Sequence, residues 1–179
     1  MIARIIVFVV EQIKKGYRKI YFRSKVRGRS KNVKILGDLF VFNPNVEIGE
    51  NVTLYPGVTF MGEGKIIIGD NSKIGQNVII YASQNGGVII GSNTIIAAQT
   101  YIIDSNHKTE KRALISLQEM ESKQVNIGND VWIAANATII KGANIQDGAV
   151  IGAKTLVNKD IAPYTINVGI PSRKIGDRG

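Results

Sequence analysis

Residues 127–156 read "IGNDVW IAANAT IIKGAN IQDGAV IGAKTL", five blocks of six, each opening on isoleucine. The same period runs upstream as "IGENVT LYPGVT" at 48–59, "IGDNSK IGQNVI IYASQN" at 68–85 and "IGSNTI IAAQTY IIDSNH" at 90–107. Its first column holds Ile48, Leu54, Phe60, Ile68, Ile74, Ile80, Ile90, Ile96, Ile102, Ile127, Ile133, Ile139, Ile145, Ile151 and Val157. The chain is 44% hydrophobic, so an unbroken apolar column of this length has a chance probability of roughly 1 in 10⁵.

The remaining columns say what the period builds. Glycine is frequent at the second position, Asn, Asp and Gly at the third and fourth, and Val, Thr, Ala or Ser at the fifth. Gly and Asn accept the left-handed backbone of a sharp corner, and the aliphatic first and small fifth residues suit the inside of short strands. Each six makes one side, and three sides make a triangular coil of about eighteen residues, with coils stacked as parallel strands about 4.8 Å apart. The repeat is interrupted by "GGVI" near Gly86 and by residues 108–124, directly after His107.

Length and charge narrow the function. A chain of 179 residues supports one substantial core. With no cysteine, disulfides, thiolate metal sites and a cysteine nucleophile are excluded. Of the net charge of +9, residues 1–34 carry eleven Lys/Arg against the single acid Glu11, and the body is close to neutral. A body without excess positive charge is a poor nucleic-acid surface.

The basic segment begins "MIARIIVFVVEQIKKGYRKIYFRSKVRGRSK". Its apolar run Ile5–Val10 is far short of the ~20 residues that span a bilayer, and no small-x-small cleavage site follows it. The spacing predicts a helix with the apolar stripe Ile2, Ile5, Ile6, Val9 and Ile13, followed by Lys14, Lys15, Arg18, Lys19 and Arg23. Such a stripe meets either an anionic membrane surface or the body of the protein, as a cap. The predicted organisation is a basic helical segment over 1–35 and an all-β domain over 36–175 with a loop at 108–124. The expected location is cytoplasmic, with the inner face of the membrane as the alternative surface.

Over residues 42–162 the chain resembles the hexapeptide-repeat acyltransferases, whose fold is the left-handed parallel β-helix. The block "VNIGNDVWIAANATIIKGANIQDGAVIGAKTLVNKDIAPYTINVGIPSRKI" at 125–175 is similar to the corresponding block of the sugar O-acetyltransferases, including galactoside, maltose and polysaccharide O-acetyltransferases. The handedness comes from this resemblance, because ordinary crossovers are right-handed. Two departures stand out: Gly176 follows "SRKI" where a second basic residue is common, with Arg178 a candidate substitute, and "WIAAN" replaces "WIGAN".

The resemblance implies a homotrimer that binds acetyl-coenzyme A in the groove between neighbouring prisms. It also implies a catalytic histidine at the end of a coil before a long loop, where His107, the only histidine, stands. An imidazole titrates near enough to neutral pH to take the proton of a sugar hydroxyl during attack on a thioester. Asp104, three residues earlier, is a candidate to orient the ring, or an ordinary corner residue. The expected cofactor-binding residues are Trp132, Ala134, Ala135, Ala153, Lys154, Lys159, Arg173 and Lys174: an aromatic wall, small residues that let the pantetheine arm approach the backbone, and cations for the phosphates. One histidine among scattered acids has no metal-ligand spacing. The expected activity is O-acetylation of a carbohydrate, a surface polysaccharide or its precursor. N-acylation of an amino sugar or another small acceptor, or an inactive scaffold, are the alternatives.

Overall fold

The computed structural model describes residues 2–27 and 32–179, leaving aside the side chain of Ile2. The parts of the 1–35 segment at Met1 and 28–31 lie outside the described residues.

The repeat forms three parallel sheets, one per side of a triangular prism. The first stacks Lys34–Ile35, Thr53–Leu54, Lys73–Ile74, Ile95–Ile96, Trp132–Ile133, Val150–Ile151 and Thr165–Val168, and ends with Arg173–Asp177 returning antiparallel. The second stacks Phe40–Val41, Thr59–Gly62, Ile79–Ala82, Tyr101–Ile103, Thr138–Ile139 and Leu156–Val157; the third stacks Val46–Ile48, Lys65–Ile68, Gly87–Ile90, Val125–Ile127 and Asn144–Ile145. The chain visits them in rotation, each strand pairing with its counterpart one coil on. This is the left-handed parallel β-helix. Every first-column residue is buried, and each such side chain contributes ~1.5–3 kcal/mol through burial.

The corners divide the work between two positions of the repeat in a way that the composition does not show. The left-handed conformation belongs to the fourth position: Asn51, Asn71, Asn93 and Asp130 have φ of 56°, 58°, 59° and 54°. The second-position glycines are instead required by close approach, since a Cβ on Gly69 would lie 2.6 Å from the carbonyl carbon of Gly91, and one on Gly91 would lie 2.6 Å from that of Gly128. Backbone can come this near only where there is no side chain.

A polar ladder along the same edge records the coil lengths. Glu50 N–H donates to Asp70, Asp70 N–H to Ser92, Ser92 N–H to Asn129 and Asn129 N–H to Asp147, over 20, 22, 37 and 18 residues. The expected eighteen holds only for the last. All the surplus falls at one edge, between the second and third sheets, where Gly62–Gly64, Ser83–Gly86 and residues 104–124 bulge outward one above another. The apolar columns on both sides keep their register because the insertions lie outside the prism.

The N-terminal helix is Ile2–Lys25. Only its C-terminal end meets the body. Phe22 is buried and joins the hydrophobic core, Arg18 Nε lies 2.8 Å from Asp38 Oδ1, and Val41 N–H donates to the Tyr21 hydroxyl. The predicted stripe does not pack on the body: Ile5, Ile6, Val9 and Ile13 are exposed. The cap is therefore one turn around Phe22, not the stripe.

Candidate active site

His107 lies where the insertion edge is longest. After Ile103 the chain leaves the coil at Asp104, whose side chain is fully buried. The Asp104 carboxylate accepts from Ser83 N–H at 2.9 Å and from Gly87 N–H at 2.6 Å, which ties the insertion of the coil below to the exit point. Ser105–His107 then pairs antiparallel with Met120–Ser122, placing His107 opposite Met120. Lys123 N–H closes the base on the Asp104 carbonyl at 2.8 Å, and the Ser83 and Ser122 hydroxyls hydrogen-bond at 2.7 Å.

The loop expected over 108–124 is thus closed at its base by a short hairpin. Its tip is braced by the Gln118 side chain, which accepts from Glu110 N–H and donates to the Glu110 and Ala113 carbonyls. His107 is exposed and makes no side-chain hydrogen bond to another described residue. Asp104 does not contact it by hydrogen bond; its carboxylate is engaged by backbone amides instead. Beyond His107 the tip exposes Leu114, Ile115 and Leu117.

The hairpin's other strand is tethered to the prism by an ion pair between Glu121 and Lys141. That hydrogen bond, and secondarily the Lys141 charge, hold the Glu121 carboxyl below its usual 4.5. A depressed carboxyl favours the folded tether above its unfolded pKa and loses that contribution as pH falls through the folded value. Glu121→Gln, or acidification past that range, is expected to speed amide hydrogen exchange at 120–122 several-fold while the unfolding midpoint of the body stays put. Exchange followed across a pH series checks this.

Most of the predicted cofactor residues lie elsewhere on the prism. Trp132 stands half-exposed on the outer face of the first sheet, between Ile95 and Val150. Ala134, Ala135 and Ala153 form the corner between the first and second sheets, continuing the column of Ala97 and Ala98, and Lys154 turns that corner with φ of 58°. Lys159 instead follows the second sheet, on the insertion edge above the hairpin, and Arg173 and Lys174 start the returning strand. Lys154, Lys159 and Arg173 have no carboxylate within salt-bridge distance among the described residues, whereas Lys174 pairs with Asp177 at 2.6 Å. Arg178, the candidate substitute, is held by Asp130 at 2.8 Å.

The second sheet separates these two groups, so a single chain does not bring His107 to the alanine corner. A cavity of about 780 Å³ on the insertion edge, bordered by Arg27, Phe42, Glu47, Glu63, Lys65 and Gln84, contains neither group. Its charges cancel, with Lys65 paired to Glu47 at 3.2 Å, so it offers no net attraction for phosphates.

The outer face of the second sheet carries tyrosines. Tyr101 is exposed there with Tyr81 close by, and partial burial, then the neighbouring Tyr81, pushes its phenol above the usual 10.0. The sequence carries the signal: the residue just before each first-column position points outward, and it is large at Tyr101 on this sheet, as it is at Ile95 and Trp132 on the first sheet. On a solvated face such residues are costly; on a face that meets another surface they are useful.

The fold agrees with that of known proteins. Residues 124–159 match the family model for bacterial transferase hexapeptide (six repeats), and residues 65–103 that for the hexapeptide repeat of succinyl-transferase. The putative lipopolysaccharide biosynthesis O-acetyl transferase WbbJ of Escherichia coli is 31% identical over 73% of this chain and 71% of its own length. The galactoside O-acetyltransferase of Escherichia coli is 36% identical over 72% of this chain, which spans 62% of that enzyme. Among solved structures, AntD, an N-acyltransferase from Bacillus cereus in complex with dTDP and 3-hydroxybutyryl-CoA, superposes with a TM-score of 0.78 at 23% identity, covering 90% of this chain and 88% of that one; this last likeness is one of fold. On the repeat, the prism it builds and these relatives, the chain belongs to the hexapeptide-repeat acetyltransferases, the family of sugar and polysaccharide O-acetyltransferases.

Proposed function

We propose that this protein transfers an acetyl group from acetyl-coenzyme A to a carbohydrate hydroxyl, in the synthesis of a surface polysaccharide, and does so as a homotrimer. The observation that carries the reading is the division of the site: an exposed His107 on one edge, and an aromatic wall with a small-residue corner on the other side of the second sheet. Threefold packing lets the insertion edge of one subunit face the alanine corner of the next, and the exposed Leu114, Ile115 and Leu117 give the hairpin tip an apolar surface for that contact.

Bound acetyl-coenzyme A supplies an activated thioester carbonyl. His107 accepts the acceptor hydroxyl proton as the oxygen bonds to that carbon, and returns it to the departing sulfur as the carbon–sulfur bond breaks. Backbone N–H groups carry the charge that builds on the carbonyl oxygen. Ala134, Ala135 and Ala153 leave room for the pantetheine arm, Trp132 walls it, and Lys154, Lys159, Arg173 and Lys174 balance the phosphates. Asp104 acts at one remove, by holding the corner from which the hairpin springs.

Thiol release from acetyl-coenzyme A, measured with a panel of sugars, glycans and amino sugars, tests the reading. Turnover with hydroxyl acceptors is expected; turnover confined to amino sugars supports N-acylation instead; no turnover with any acceptor sinks both. Shared sites also predict complementation. His107→Ala and Ala135→Arg homotrimers are each expected to be inactive, yet mixed trimers regain activity, because a mixed trimer has an interface joining an intact histidine edge to an intact corner. Sedimentation showing an active monomer, or mixing that restores nothing, would count against the shared site.

A further inference from the structure

The cap on the first coil needs only Phe22 and its neighbours, which leaves the front of the helix without a partner. Residues 3–17 are exposed throughout, a projection of about 20 Å at 1.5 Å per residue. Its six consecutive residues Ile5 to Val10 are all apolar, with Phe8 at 64% and Val7 at 62% exposed. Successive residues turn by about 100°, so six in a row present apolar groups on every face of the helix.

A second copy of the chain would cover one stripe and leave Val7, Phe8 or Val10 in water. An apolar solvent covers them all. Charge says which apolar solvent: Lys14, Lys15, Arg18, Lys19, Arg23 and Lys25 follow the apolar tip, and the only acid, Glu11, is met by Lys14 at 3.3 Å. No described helix is long and apolar enough to cross a membrane. Polarity that changes along the axis, apolar first and cationic after, suits oblique entry into the boundary of an anionic bilayer.

We propose that the projecting front of the N-terminal helix docks on an anionic lipid bilayer, with Ile5–Val10 in the acyl boundary and Lys15, Lys19 and Arg23 among the headgroups. Arg4 reaches the headgroups by extending its aliphatic stem. The docking surface is independent of the acceptor and of the role of His107, because it contains none of the residues placed in the site.

Flotation of the full-length protein with phosphatidylglycerol vesicles tests this, with phosphatidylcholine vesicles as the uncharged comparison. The protein is expected to float with the anionic vesicles alone and to be released as salt screens the headgroup attraction. The variant carrying Val7→Ser, Phe8→Ser and Val10→Ser is expected to lose at least about tenfold in vesicle partitioning, as its buried apolar surface shrinks. Its melting temperature and thiol release are expected to stay unchanged, since these side chains touch nothing in the body. Lys15→Glu with Lys19→Glu is expected to abolish the preference for anionic lipid. Full-length protein that ignores anionic vesicles at low salt overturns the proposal, as does flotation that survives the serine substitutions. Dissociation of the oligomer by those substitutions, with no flotation of the parent, assigns the helix to its sister copies and overturns it too.

Discussion

Replacing His107 with alanine is expected to lower the chemical step by at least about 10²-fold while coenzyme binding and the fold survive, as loss of a general base does. The fold survives because the imidazole is exposed and makes no hydrogen bond to another described residue. The hairpin beneath it is held by the backbone ladder to Met120–Ser122 and by the Asp104 corner, neither of which uses the ring. Coenzyme binding survives because the proposed groove residues belong mainly to another part of the prism. Single-turnover acetylation read beside equilibrium coenzyme binding checks both halves. Unchanged turnover would remove His107 from the mechanism, and with it the reason to expect complementation between subunits.

Asp104→Ala is expected to act through the scaffold. It strips the acceptor from two amides, Ser83 N–H and Gly87 N–H, inside a fully buried corner. Each buried donor left without a partner costs ~1–3 kcal/mol, so a loss of about 2–6 kcal/mol is expected in denaturant unfolding, together with lost activity because the hairpin no longer leaves the coil at a fixed angle. Asp104→Asn, which retains one carbonyl oxygen, is expected to recover part of both. If Asp104 instead set the tautomer of His107, activity would fall steeply with stability intact and the pH profile of turnover would shift. The unfolding midpoint and the pH profile together separate a residue that builds the corner from one that tunes the imidazole.

The sequence by itself determined the prism. A six-residue period needs no long-range information, because an aliphatic residue at every first position can be buried only if the chain turns after each six, and the Asn and Gly columns mark where it turns. The exit point at Asp104–His107 was legible for the same reason: it is where the period stops. The length of individual coils was not, because an insertion placed outside the prism leaves the apolar column intact and so leaves no trace in the period beyond a gap. Nor could the period distinguish the glycines needed for close approach from the asparagines that adopt the left-handed turn.

The helix shows the same limit. Its amphipathic stripe was plain in the sequence, but which part of it touches the body depends on where Phe22 meets the open end of the first coil, a contact between segments whose geometry the stripe does not contain. The distribution of the candidate site was likewise decided only in three dimensions. His107 and Ala135 are near in sequence, and in a linear reading they belong to one site. The winding of the coil carries them to opposite sides of the second sheet, because position around a prism depends on residue number modulo the coil length, and the hairpin between them adds length without adding a turn.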